Sequence, residues 1–183
     1  SSANTVIDLA CGAGAMTRQL ARPGRLVVGL DISAAELEVA RTRSSSPFVR
    51  GNALQLPFGD GVADAVTSSM GLAVVHPTAT LLEEVARVLR PGGVLAVTVP
   101  TWRPLRLADV AVGAQLAALL RTTPRFPASL EVSIGSALAR HGLRKVEDAR
   151  ERYRFTVNTQ EDAELLVGAL YLPTSSPARS QAA

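Results

Sequence analysis

The sequence predicts an α/β domain: a Rossmann-like, mostly parallel sheet with helices on both faces and an antiparallel C-terminal strand. Three observations predict it. Short aliphatic and β-branched runs alternate with stretches of helical spacing, the order that parallel strands joined by crossover helices require. The first run ends in a glycine-bearing turn that opens directly into a helical segment, and the second run ends in an acid, Asp31. No internal repeat or long linker interrupts the pattern. Residues 1–172 therefore read as one domain, with 100–127 as its variable part and 173–183 as a disordered Ser/Pro/Ala tail.

The first strand is Thr5-Val6-Ile7-Asp8-Leu9, followed by the turn Ala10-Cys11-Gly12-Ala13-Gly14 and a helix from Ala15 to Ala21. Such a turn binds a ligand. Gly12 and Gly14 place no Cβ where a ligand would lie against the backbone, and the amides that open the helix favour an electron-rich or anionic group. A dinucleotide turn carries a third glycine in G-x-G-x-x-G, whereas here that position is Thr17. Pro23-Gly24 breaks the chain before the second strand, Leu26 to Leu30, which runs into Asp31. An acid there is placed to accept both hydroxyls of a ribose, each charge-assisted bond contributing on the order of 1.5–3 kcal/mol before ordering costs. The competing role is a cap for the next helix. Ser33 fills it better, with Glu36 three residues on completing a capping box.

The second helix covers Ser33 to Arg43, and after a serine-rich turn Phe48-Val49-Arg50 leads into Gly51-Asn52-Ala53. Gly59-Asp60-Gly61 turns the chain into a fourth strand, Val62 to Thr67, whose carboxyl end carries Ser68, Ser69 and Met70, where ligands sit in open α/β sheets. Pro77 to Leu89 places Leu81, Leu82, Val85, Val88 and Leu89 on one stripe, an amphipathic helix stopped by Arg90-Pro91-Gly92-Gly93. Val94 to Val99 is the fifth strand. Beyond it, 104–121 and 129–141 read as helices, Leu143 to Ala149 and Tyr153 to Val157 as strands, and Asn158 or Thr159 caps a last helix.

Composition narrows the function classes. A hydrophobic content of 47% in 183 residues is enough for a two-sided core. The net charge of +3 and pI near 9.7 permit nucleic-acid binding, but the arginines are scattered rather than clustered, so it is not indicated. One cysteine excludes an internal disulfide and fits a reducing, cytoplasmic compartment. The most apolar helical stretch, Leu105 to Leu120, is interrupted by Arg106 and Asp109 and is too short to cross a bilayer.

The string Asp8-Leu9-Ala10-Cys11-Gly12-Ala13-Gly14 resembles motif I of the class I S-adenosylmethionine-dependent methyltransferases. Gly51-Asn52-Ala53 ahead of Leu54-Gln55-Leu56-Pro57-Phe58 is similar to the family's G-D-A followed by x-x-L-P-F, and Ala63-Asp64-Ala65-Val66 to its F-D-x-V. Glu84 to Gly93 resembles the signature E-x-x-R-V-L-K-P-G-G almost letter for letter. In order, these matches cover residues 5–99 and look most like the small-molecule and ubiquinone/menaquinone-biosynthesis subgroup. The resemblance implies S-adenosyl-L-methionine as cofactor and methyl transfer to a small-molecule acceptor, with no nucleic acid as partner. It carries cofactor contacts onto Asp8, near the methionine end, and onto Ala10, Cys11, Gly12 and Gly14. It also carries them onto Asp31 and Ile32, onto Asn52, Ala53 and Leu54, and onto Ser68. No metal is assigned. Asn52 stands where the family has an acid; its side-chain carbonyl can still accept from the adenine amine, or it serves simply as a turn residue.

A sulfonium methyl is already activated, so alignment with the nucleophile carries most of the barrier unless that nucleophile must lose a proton. His76, after strand four and before Pro77, is the local candidate for a catalytic base; its competing role is an ordinary residue at a helix start. His141, ahead of Gly142, reads as a structural complement to a helix dipole, and Cys11 as a small side chain beside the ligand. Trp102, Arg103 and Arg106 are possible acceptor contacts, with solvated charge as the bland reading.

Two rival functions stand beside this one. A nucleic-acid methyltransferase is disfavoured because Thr67-Ser68-Ser69-Met70 lacks the Asn/Asp-Pro-Pro-aromatic sequence and no second cysteine offers a cytosine-attacking thiol. An incomplete or non-catalytic methyltransferase-like module is the other. At most Ser1 to Asn4 precede the first strand, where the family often has a helix over the cofactor, so the expectation is weak cofactor retention or a homo-oligomer in which another subunit supplies the lid.

Overall fold

The computed structural model describes residues 3–99, 128–151 and 156–169, with isolated helical positions at 110, 111, 114, 115 and 118. The chain divides into two compact units, Ser1–Pro100 with Ser129–Val146, and Thr101–Ala128 with Glu147–Ala183.

The first unit is a five-stranded parallel sheet in the order β3-β2-β1-β4-β5. Its strands are β1 (Thr5–Leu9), β2 (Leu26–Asp31), β3 (Phe48–Arg50), β4 (Ala63–Ser69) and β5 (Leu89–Thr98). The helices between them are α1 (Ala15–Leu20), α2 (Ala34–Arg43), α3 (Gly71–Val74) and α4 (Thr78–Val88), and α5 (Ala128–Arg140) follows. Each crossover returns a strand parallel to the last, which is why β1 reads as a nearly unbroken apolar run rather than an alternating one. Val6, Ile7 and Leu9 are 1–2% exposed.

One face of the sheet carries the larger core: Ile7, Leu9, Leu30 and Val66 pack with Leu81, Leu82, Val85 and Val88 of α4 and with Leu138 of α5. The stripe predicted on α4 is therefore its buried face. The opposite face holds a smaller cluster of Ala3, Val6, Val27 and Ala65 against Leu20.

Three features differ from the sequence expectation. The helix expected to reach Leu89 ends at Val88, and β5 starts at Leu89, so the predicted stop Arg90-Pro91-Gly92-Gly93 becomes an irregularity inside the strand: Ala63 pairs with Leu89 but Ala65 already with Val94. α3 is a single turn opened by Met70, with no capping residue to signal it. Every described strand pairing in the sheet is parallel, and no antiparallel C-terminal strand is found among the described residues. Leu143 to Ala149 pairs with nothing as a strand and is mostly exposed, Val146 at 75%. The reason lies in the spacing: Leu143, Val146 and Ala149 recur every third residue, which gives a strand no apolar face. Tyr153–Phe155 lie outside the described residues.

Of the second unit, α6 (Gln160–Ala169) is described. Thr159 caps it: its hydroxyl accepts the Asp162 amide at 3.1 Å while Asp162 accepts the Thr159 amide at 3.0 Å. Trp102, Arg103, Arg106 and the tail from Pro173 lie outside the described residues. Among those described, no helix is long and apolar enough to cross a membrane.

Candidate functional site

β1 and β4 are neighbours at the centre of the sheet, and their connections leave in opposite directions, β1 towards β2 and β4 towards β5. A crevice opens at the carboxyl ends of strands at such a reversal. The turn after β1 lines it. The Cys11 amide donates to Leu30 O at 3.1 Å and the Gly14 amide to Cys11 O at 2.9 Å, which fixes the turn against β2.

Asp31 ties the turn to the next helix. Its Oδ2 accepts the Gly12 amide at 2.8 Å and its Oδ1 the Ser33 amide at 2.9 Å. A carboxylate offers about four lone-pair directions, so both oxygens keep capacity for further donors. Ser33 in turn accepts the Glu36 amide at 3.3 Å and caps α2, as the sequence predicts. Next to Asp31, Ile32 is 67% exposed, an apolar surface at the strand end, and its carbonyl is held by Arg50 Nε at 3.1 Å.

The two glycines of the turn do different work. Gly12 has φ +49°, and a Cβ there would meet only Glu36 Oε2, at 3.6 Å, so its face is open to a ligand. Gly14, at φ +77°, is in the left-handed region that favours glycine, and a Cβ there would also come within 3.0 Å of Ala40 Cβ and 3.1 Å of Phe48 Cζ, so the packing of α2 and β3 needs it bare as well.

Asp8 and Ser68 are turned inward. Asp8 is 1% exposed; its Oδ2 accepts the Thr17 hydroxyl at 2.6 Å and its Oδ1 the Thr67 hydroxyl at 3.1 Å. Burial pushes its carboxyl above the ordinary value, while the two hydroxyls and the Thr17 amide pull the other way and Asp31 adds to the rise. Ser68, 3% exposed, donates to Leu9 O at 2.9 Å. The Cys11 thiol is pushed up to about 12, by burial first and then by Asp8 and Asp31, so it is a neutral side chain.

At the end of β3, Asn52 Oδ1 accepts the Leu54 amide at 2.9 Å and its carbonyl the Gln55 amide at 3.0 Å. The turn role is thus filled, with Ala53 buried and Leu54 half-buried against the core. His76 is exposed on the segment between α3 and α4, and no described hydrogen bond joins it to the glycine turn or to Asp31. Among the described residues no group of three or more His, Cys, Asp or Glu could hold a metal.

Two features go beyond what the sequence predicts. Ala10 and Met70 adopt φ +52° and +65° at the ends of the two central strands, a conformation rare for residues with a Cβ. Glu84 and Arg87, part of a recognised signature, form a brace for the β3–β4 connection. Glu84 accepts the Leu56 amide at 2.6 Å, and Arg87 donates to Phe58 O at 2.8 Å, Leu56 O at 3.1 Å and Asp60 at 2.7 Å. Arg87, and less so the Leu56 amide, holds the Glu84 carboxyl below its usual range against the effect of burial.

The methyltransferase-domain family matches residues 7–97. A demethylmenaquinone methyltransferase of Corynebacterium kroppenstedtii is 48% identical over 92 residues, covering 50% of this chain and 40% of that protein. One from Beutenbergia cavernae is 46% identical over 103 residues, 54% of this chain and 43% of that protein. The chain therefore spans less than half the length of these curated relatives. Among solved structures, the complex between the Haloferax volcanii Trm112 methyltransferase activator and a protein classed as a methyltransferase matches with a TM-score of 0.61 and 26% identity. That match covers 79% of this chain and 63% of that one.

Proposed function

The chain belongs to the class I S-adenosylmethionine-dependent methyltransferases, and from that premise we propose that it transfers the methyl group of S-adenosylmethionine to a small-molecule acceptor. The observation that carries the reading is Asp31, which fixes the glycine turn through Gly12 and still offers lone pairs at the strand end beside an exposed Ile32. These groups suit an adenosine. Asp31 would accept from the ribose hydroxyls, Ile32 would cover one adenine face, and the open face of Gly12, with the Ala10 carbonyl region, would take the rest of the cofactor along the turn. Asn52 and Leu54 close the adenine end. Asp8, Cys11, Gly14 and Ser68 shape this surface from behind.

The bound cofactor supplies an electrophilic methyl on a sulfonium centre. The protein's contribution is to hold the acceptor in line with it, an orientation worth effective molarities of roughly 10⁵–10⁸ M. An oxygen or acidic-carbon acceptor also needs a base, and His76, exposed on the segment between α3 and α4, would be the residue to serve. Its replacement by Ala should lower kcat for such an acceptor while leaving cofactor affinity unchanged. The name of the relatives makes a demethylmenaquinone the first acceptor to try.

Calorimetric titration of S-adenosylmethionine and S-adenosylhomocysteine, with NAD as control, tests the cofactor reading. Asp31→Ala should weaken binding at least about tenfold, the loss of one charge-assisted bond. Equal affinity in the variant, or binding of NAD instead, would overturn it.

A further inference from the structure

The start of α1 is a helix end without a local cap. Gly14 is its N-cap and has no side chain, and no acid stands in its first turn. The third residue of the helix is Thr17, whose amide is among those that a helix start leaves without an intrahelical partner. Here that amide, and the Thr17 hydroxyl at 2.6 Å, both bond to Asp8. The cap is supplied from the middle of β1, two residues before the glycine turn begins. Thr17 is 0% exposed, and Asp8 reaches on to Thr67 of β4 at 3.1 Å, so the bond spans the turn and fastens it to the neighbouring strand.

We propose that Thr17 is a positioning residue of the cofactor turn, acting through Asp8: the pair clamps the two ends of residues 10–14, and cofactor affinity depends on the clamp. The inference rests on the cofactor reading above. The geometry favours it in two ways. Both Asp8 oxygens are already engaged by hydroxyls inside the protein, and the carboxyl is closed to solvent. The turn it spans holds φ angles of +52°, +49° and +77° at Ala10, Gly12 and Gly14, conformations that persist only where the surroundings hold them.

The test compares Thr17→Val and Thr17→Ser with the wild type by titration with S-adenosylhomocysteine, and by hydrogen exchange of the Gly12 and Gly14 amides without ligand. Thr17→Val keeps the shape and removes the hydroxyl; it should weaken binding by about tenfold, one buried hydrogen bond to a charged group, and speed exchange across the turn. Thr17→Ser should restore both. A folded Thr17→Val variant with wild-type affinity and exchange would overturn the clamp, as would a Ser variant as weak as the Val one. Should Thr17→Val not fold, Thr67→Val removes the longer bond at the other oxygen, and unaltered exchange in that variant overturns the proposal. A wild type that does not bind the probe overturns the cofactor reading and the clamp together, whereas equal binding by wild type and Thr17→Val removes the clamp alone.

Discussion

α1 and α2 follow adjacent strands of one sheet, and each begins beside an acid, yet they are capped in opposite ways. α2 carries its own cap: Ser33 accepts the Glu36 amide, and Asp31 is left to hold the glycine turn with one oxygen and the Ser33 amide with the other. α1 has only Gly14 at its start and draws its cap from Asp8, nine residues before Thr17. A helix with a local cap can start wherever the chain brings it. A helix capped from the preceding strand can start in only one place, and the turn between strand and helix is fixed with it. That is the property a binding turn needs and a surface helix does not.

The largest effect should come from removing the distant cap outright. Asp8→Ala leaves the Thr17 hydroxyl and amide and the Thr67 hydroxyl without their acceptor in a buried site, a cost of about 2–4 kcal/mol even after partial relaxation. Denaturant unfolding checks it. A loss no larger than that of an exposed substitution would erase the contrast between the two helices.

A second distant tie sharpens the comparison from elsewhere in the fold. Glu84 accepts the Leu56 amide from 28 residues away and balances Arg87, which binds the carbonyls of Leu56 and Phe58. Glu84→Ala should cost about 1–3 kcal/mol and loosen residues 54–60, seen as faster amide exchange at Leu56. Since Asn52 and Leu54 begin the same connection, cofactor affinity should fall with it. Stability that drops while affinity holds would show that this brace serves the fold alone.

Protonation separates the acids by sign. Asp64 lies near the start of β4, where it accepts the amides of Asn4 at 2.6 Å and Thr5 at 2.9 Å and pairs with Arg90, and these hold its carboxyl below the ordinary value. Asp8, in the neighbouring strand and bonded to neutral groups only, is shifted up by burial. A carboxyl depressed on folding contributes stability that is present above its unfolded value, about 3.9, and lost as pH falls through the folded one. A carboxyl raised on folding contributes stability that is present below that value and lost as pH rises through the folded one. Asp64→Asn should therefore flatten the stability profile on the acid side of about pH 4, and Asp8→Asn on the side above it. Thermal unfolding across the pH range reads both, and two variants that flatten the same limb would contradict the assignment.

What could be read from the sequence follows the same division between local and distant. The five strands of the sheet, the glycine turn, the Ser33 cap and the apolar stripe of α4 each depend on neighbours within a few residues, and each was legible. That Asp31 closes β2 was legible because a strand end and an acid coincide in the chain, but its hold on the Gly12 amide was not. The inward turn of Asp8 and Ser68 was not, because their partners Thr17, Thr67 and Leu9 are chosen by how strands and helix lie together. Gly14 was read as a position left bare for a ligand; that Ala40 and Phe48 also crowd it is known only once α2 and β3 are packed. The φ of +52° at Ala10 and +65° at Met70 leaves no trace in residue type at all.

The smallest effect belongs to the local cap. Ser33→Ala removes the acceptor of the Glu36 amide at an exposed helix start, where water can replace it, so the cost should be about 0.5–1 kcal/mol. Asp31 still accepts the amide at position 33, because that bond uses the backbone and not the serine hydroxyl. The carboxylate therefore keeps its aim, and cofactor affinity should stay within about twofold of wild type, less than the effect of one neutral hydrogen bond. A larger fall would mean that the start of α2 is coupled to the turn as tightly as the start of α1, and that Asp31 rather than Asp8 is the acid on which the site's geometry turns.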